Sequence, residues 1–187
     1  LHLSIRRQRQ MCIRDRYIVE KMELGNRKRP VVVGSGPSGL FAALVLAEAG
    51  LKPIILEQGK NVDERQKDVY SFFKNGKFNK YSNVQFGEGG AGTFSDGKLT
   101  TNTNNFRMQK IYSELILAGA EKRIAYMSKP HVGTDKLIEI MRKIRHKIES
   151  LGGEYRFSTK LVKINYEKTN SENNKIKSIL VENVENS

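Results

Sequence analysis

Gly34-Ser35-Gly36-Pro37-Ser38-Gly39 follows three valines, Val31 to Val33, and opens an apolar run that begins at Leu40. The spacing is GxGxxG, and its chemistry is pyrophosphate binding. The first glycine permits a tight turn out of a strand, the second lets backbone approach a phosphate, and the third lets a helix pack closely on the strand. Backbone N–H groups at the helix start then face the anion, where the helix macrodipole also favours negative charge. Glu57 stands 23 positions after Gly34, at the end of a second apolar run, Pro53 to Leu56. A carboxylate at that spacing accepts hydrogen bonds from ribose hydroxyls. The glycine pattern alone is weak, and an incidental turn with a surface Glu is the plain alternative. Leu56, Gln58, Gly59 and Lys60 put no Arg beside the acid, so an unphosphorylated adenosine ribose, as in FAD or NAD, fits better than a 2′-phosphate. Lys60 is a weak partner for such a phosphate.

These groups need elements to hold them. Val31 to Val33 predict a short strand buried on both faces. The strong helix formers from Ser38 to Ala49 predict a helix buried nearly all round, capped at Gly50, and Pro53 to Leu56 a second strand. Residues 30–57 then form one β-α-β unit with a right-handed crossover. A further helix is expected over 61–73, with a turn at Asn75-Gly76. Gly87 to Gly97, GEGGAGTFSDG, holds five glycines in eleven residues and is no regular element. Phe86 beside it and Phe94 within it favour a loop fitted to something over a polar linker.

Helical spacing recurs over 106–117. Thr134 and Asp135 suit the start of another helix, whose apolar positions Leu137, Met141, Ile144, Ile148 and Leu151 share a face. Arg142, Lys143, Arg145 and Lys147 are expected on the opposite face. Tyr155 to Tyr166 predicts a strand, and a polar turn at 170–174 leads into Ile176 to Val184, which completes a hairpin. The expected fold class is α/β, a Rossmann-like parallel sheet with an antiparallel hairpin near the C-terminus, incomplete.

Charge and composition exclude other classes. The chain has 187 residues and a formal charge of +13. Residues 1–30 carry nine Lys or Arg against three acids, and the remainder 24 against 17, so the excess is concentrated in the head. Elsewhere it is dispersed, which suits a solvated surface better than a nucleic-acid groove. RNA binding by the basic helix over 136–147 is the alternative, weakened because no aromatic residues interleave with the charges. Cys12 is the single cysteine, so no disulfide framework exists, and three dispersed histidines offer no metal ligand set. No run approaches the roughly 18 apolar residues of a membrane span, and a cytoplasmic protein is expected. Residues 1–28 are expected to be a non-native or disordered head. MCIRDR within it resembles translated adaptor sequence, and its arginines also suit a transit peptide. Residues 29–187 are then a partial cofactor-binding domain.

Two stretches carry a resemblance. EQGKNVDER places Arg65 eight residues after Glu57, and this is similar to the ERG-x-x-x-x-x-R pattern of two-dinucleotide-binding-domain flavoproteins, with Gln58 where Arg is common. SNVQFGEGGAGTFSDGKLTT, KPHVGTDKL and LGGEYRFSTKL resemble the bacterial FAD-dependent dehydrogenases labelled NAD(FAD)-utilizing dehydrogenases, over about residues 27–167. Ser38 stands where Ala is common. The resemblance implies FAD as cofactor, with NAD(P)H as a further electron donor, a small-molecule substrate and a much longer family member. It implies that Gly34, Ser35, Gly36, Pro37, Ser38, Gly39, Glu57, Gln58 and the loop Gly90, Ala91, Gly92, Thr93 meet the cofactor. Arg65 would support the phosphate or ribose region, and the strand Leu161 to Lys163, centred on Val162, would present backbone to the adenine. An inactive truncated chain is a further alternative.

Catalytic candidates are few. Lys98, beside Ser95 and Asp96, could stabilise a reduced anionic flavin. His131, at an expected strand-to-helix junction, could donate a proton. Their plain alternatives are a surface lysine and a histidine bonded to backbone. The lack of Cys-x-x-Cys argues against a disulfide reductase, and the oligomeric state is not specified.

Overall fold

The computed structural model describes residues 17–99, 105–127, 130–167 and 175–186. The expected head up to residue 16, with His2 and Cys12, and the expected turn at 170–174 lie outside them.

The β-branched run forms β1 (Val31–Val33), the chain turns at the glycines into α1 (Pro37–Glu48), and β2 (Ile54–Leu56) returns parallel to β1. Pro37 starts α1, where a fixed φ suits the helix and the missing N–H leaves nothing unsatisfied. Gly50, at φ +89°, closes it through the Leu51 N–H donating to the Leu46 carbonyl at 3.0 Å. β3 (Glu154–Arg156) adds to the far side of β2, also parallel, giving the order β1-β2-β3.

Two burial expectations are corrected. Val31 and Val33 are 41% and 57% exposed, because β1 is an edge strand and only Val32 turns to the core. Helix α1 buries one stripe, Leu40, Ala43, Leu44 and Ala47, and leaves Ser38 and Ala42 exposed. Residues 17–22 partly cover its remaining side. The Met22 N–H donates to the Ala49 carbonyl at 2.8 Å, and the Tyr17 ring stacks on Phe106 at 6.0 Å. Ile18 and Met22 themselves stay 79% and 46% exposed.

Helix α2 (Val62–Asn75) begins where the Asn61 side chain accepts the N–H groups of Asp63 and Glu64, and ends at the left-handed Gly76. Helices α3 (Arg107–Leu117) and α4 (Thr134–Ser150) complete the layer on α1. Gly133, rather than Thr134 or Asp135, precedes α4 as its cap; both polar residues stand inside the first turn, where Asp135 complements the macrodipole. Leu137, Met141, Ile144 and Ile148 are buried in one cluster with Leu40, Leu44 and Ile55. Each such side chain contributes about 2 kcal/mol of burial.

The strand expected over 155–166 is two strands. Ser158, at φ +51°, turns the chain out of the parallel sheet, and β4 (Thr159–Glu167) pairs antiparallel with β5 (Lys175–Asn183). Among the described residues no helix is long and apolar enough to cross a membrane.

The basic side of α4 is also not the free face expected from its pattern. Lys147 and Lys110 bridge Glu48 of α1 and Glu114 of α3 at 2.6–2.9 Å, a closed ring of two ammonium and two carboxylate groups. Arg142 pairs with Asp63, Arg145 with Glu88, Lys143 with Glu139 and Lys136 with Glu121. Burial pushes the Glu48 carboxyl up, but the hydrogen bonds and charges of Lys110 and Lys147 hold it below the usual carboxylate range. The Arg142 hydrogen bond does the same for Asp63. Both folded values are depressed, so their stabilisation is present above the unfolded values near 4.5 and 3.8 and is lost as pH falls through the folded ones. Urea midpoints should therefore drop as pH is lowered below these values. In Glu48→Gln the drop should be shallower; an unchanged slope would show that the ring does not couple to folding.

Candidate functional site

The third glycine answers to contact. A Cβ on Gly39 would overlap the Gly34 carbonyl oxygen, so α1 can lie this close to β1 only with glycine there, while Gly34 itself sits at φ +89°. No side chain caps the N-terminus of α1, and no acid stands in its first turn. The end of the helix is open to an external anion.

Glu57 directly follows β2 and is 5% exposed. One carboxylate oxygen accepts the Ser35 N–H at 2.7 Å and the Ser35 hydroxyl at 2.8 Å; the other accepts the Gly59 N–H at 2.8 Å. Ser35 thus orients Glu57, a role its place between two glycines did not announce. A carboxylate oxygen has two lone pairs, so the one bonded to Gly59 keeps capacity for a hydroxyl donor.

The glycine loop is fitted, as Phe94 suggested. Arg65 is 0% exposed, and its guanidinium donates to the carbonyls of Asn83 at 2.8 Å, Val84 at 2.9 Å, Gly87 at 3.3 Å and Glu88 at 2.6 Å. It also lies 4.7 Å from the centre of the Phe94 ring. Burial pushes the guanidinium down to about 10, against the charges of Glu57 and Glu88. Arg65 spends its donors on protein backbone, the stretch that faces the glycine turn. The Gly89 N–H donates to the Ser35 carbonyl at 2.9 Å, and a Cβ on Gly90 would press on Pro37 and Gly36.

Glu88 escaped the sequence reading. Its buried carboxylate accepts the Val62 N–H at 2.8 Å and the Arg145 guanidinium at 2.9 Å, tying the loop to α2 and α4. Burial raises it, and Arg145 opposes the rise. An acid among glycines and beside Phe86 was the available signal, since an ordered, partly apolar loop leaves a carboxylate little access to water.

A cleft of about 380 Å³ gathers Gly34, Gly36, Glu57, Gln58 and Gly90 of the predicted cofactor residues. Gly34, Gly36, Glu57 and Gln58 form one wall, Gly87 and Gly90 another, and Thr159 to Leu161 a third. Val162 is the unpaired extra residue where Leu161 faces Val181 and Lys163 faces Leu180. Such a bulge frees a backbone N–H and C=O from the ladder, next to the cleft. Beyond the turn lies a mainly apolar cavity of about 310 Å³, where Pro37, Ser38, Gly92 and Thr93 meet Met108 and Met141. Ala91 is exposed on the short turn Ala91–Thr93 between the two.

The catalytic candidates meet across a bridge invisible in sequence. Lys98 pairs with His131, flanked by bonds from Leu99 to Pro130 and from Val132 to Gly97, each 2.9 Å. Lys98 lines the apolar cavity and forms an exposed ion pair with Asp96 at 2.6 Å. Their hydrogen bond raises the lysine and lowers the aspartate. His131 is exposed, and among the described residues no cluster suited to a metal ion occurs.

Residues 29–66, from β1 into α2, match the model of the FAD binding domain family. This segment is similar to FAD-binding domains. Over 166 residues the chain is 51% identical to an uncharacterized protein of Clostridium beijerinckii, a match that covers 87% of this chain and 30% of that protein. The chain thus spans under a third of the length of this relative.

Replacing Arg65 by Lys keeps the charge but cannot reach four carbonyls. Unfolding in urea should show a loss of about 3 kcal/mol or more, given roughly 1.5–3 kcal/mol for each hydrogen bond to a charged group. Proteolysis should move to residues 83–88. Wild-type stability in this variant would mean that the loop holds itself.

Proposed function

We propose that this chain is the FAD-binding part of an oxidoreductase that acts on a small molecule. The observation that carries the reading is the convergence of Gly34 and Gly36 of the glycine turn, the oriented Glu57 carboxylate and the start of β4, Thr159 to Leu161, on one cleft, with the bulge at Val162 next to it. The family match over the same β-α-β segment supports it.

The residues fit the cofactor by donor type. The first-turn N–H groups of α1 suit a pyrophosphate, Glu57 suits ribose hydroxyls, and Val162 offers both a backbone donor and an acceptor to an adenine edge. Gly36 and Gly90 leave the turn and the loop without side chains where a diphosphate would pass. When bound, FAD supplies hydride or electron transfer, with NAD(P)H as a candidate donor.

The chain itself does the rest. Leu40, Phe41, Leu115 and Leu137 make the lining of the neighbouring cavity mainly apolar. Lys98 holds a positive charge at that cavity, which would favour an anionic reduced ring. His131 is kept beside it by the backbone bridge, placed to hold or release a proton at an imidazole nitrogen. The RNA-binding alternative loses its main support, because Lys136, Arg142, Lys143, Arg145 and Lys147 all have carboxylate partners.

Titration with FAD, followed by visible absorption and flavin fluorescence, tests the reading. The chain should give a bound-flavin spectrum, and Glu57→Gln should weaken binding by about tenfold, the equivalent of one charge-assisted hydrogen bond. A spectrum identical to free FAD at every protein concentration would remove the proposal.

A further inference from the structure

The largest cavity among those described, about 630 Å³, is not the dinucleotide cleft and shares only Gln58 with it. It lies between the end of α2, the loop 77–82, Ser158 and the turn at Val184 and Glu185. Lys60, Lys77 and Lys80 line it together with Phe78, Tyr81 and Ser82.

Its charges are unevenly committed. Asp68 is ion-paired with Lys60 at 3.0 Å through an Oδ2 that makes no hydrogen bond, and Glu185 accepts the Ser158 hydroxyl at 2.9 Å. Lys77 has no carboxylate partner among the described residues, and Lys80 lies 4.6 Å over the Tyr81 ring rather than against an acid. Two ammonium groups thus border one cavity uncompensated, beside aromatic surface from Phe78 and Tyr81.

The wall is built rather than loose. The Asn79 side chain accepts the N–H groups of Tyr81 at 3.0 Å and Ser82 at 3.1 Å, and the Asn83 amide donates to the Asn79 carbonyl at 2.9 Å. Arg65 fixes the following carbonyls from behind. Within this ordered wall the Ser82 hydroxyl is buried, in a residue 1% exposed, and has no hydrogen-bond partner. A hydroxyl left so is destabilising, and an acceptor brought in by a ligand would satisfy it. Cations, an orphan hydroxyl and flat aromatic faces in one cavity match a phosphate joined to a planar base.

We propose that this cavity is a second ligand site, which takes a nucleotide bearing at least one phosphate. It stands on its own residues, apart from the reading of the dinucleotide cleft. Lys77 and Lys80 meet the phosphate, Ser82 donates to a phosphate oxygen, and Tyr81 or Phe78 stacks on the base.

Calorimetric titration of the FAD-saturated chain with ADP, adenosine and inorganic pyrophosphate tests this. ADP should bind more tightly than either part alone and should leave the flavin spectrum in place. The double charge reversal Lys77→Glu and Lys80→Glu, at exposed positions, should weaken ADP by about tenfold or more with FAD affinity unchanged. Displacement of FAD by ADP, equal affinity of pyrophosphate and ADP, or an unaltered ADP affinity in the double variant would each overturn the proposal. If the chain retains no FAD, the same titration is run on it alone and in Glu57→Gln. ADP binding lost in Glu57→Gln but kept in the lysine variant would assign it to the other cleft and overturn the second site.

Discussion

A backbone without a ladder must find its hydrogen-bond partners elsewhere when it is buried, and one guanidinium does this for the glycine loop. Arg65 serves four carbonyls between Asn83 and Glu88 from its place on α2. Without those donors, residues 83–88 would have either to solvate or to fold into something regular, and neither would leave Gly87 and Gly90 against the glycine turn. The cost of burying a charged group is met by geometry: a planar fork suits several carbonyls at once. Glu88 extends the arrangement by carrying the loop to Val62 and Arg145, so loop, α2 and α4 are positioned by two buried ionic side chains.

Charge plays a second, separate part in the helical layer. Glu48, Glu114, Lys110 and Lys147 alternate in sign around the junction of α1, α3 and α4. Such a ring specifies how three helices meet, whereas the apolar stripe of Leu40, Leu44, Ile144 and Ile148 specifies only that they meet. The chain's large positive charge is thereby redistributed: much of what looks like a basic surface on α4 closes contacts between elements.

The β-α-β unit was legible because it rests on local signals, β-branched strands, strong helix formers and glycines at contact positions. Glu57 was legible because its spacing from the turn follows from the length of that unit. Arg65 was visible as a residue but not in its task, since the carbonyls it serves belong to a loop with no periodicity. The break at Ser158 was hidden because the residues on both sides suit strands, and only tertiary pairing decides that β3 joins a parallel sheet while β4 starts a hairpin. The exposure of Val31 and Val33 was misjudged for the same reason: sequence records an apolar run, whereas neighbours decide how many of its faces are covered. Glu88 and the ring of four charges depend on partners far apart in the chain, which no window reveals.

The short bridge between Gly97–Leu99 and Pro130–Val132 has an architectural consequence. It pins both ends of an excursion that includes α3, so the closure of that excursion is settled at its base, independent of what lies at its far end. Because closure entropy grows only slowly with loop length, such a segment can gain, lose or exchange residues at modest cost. The base keeps Lys98 and His131 side by side throughout. A lineage could therefore reshape the side of the apolar cavity formed by Met108, Ile111 and Tyr112 while the sheet, the glycine turn and the two polar residues at the bridge stay where they are.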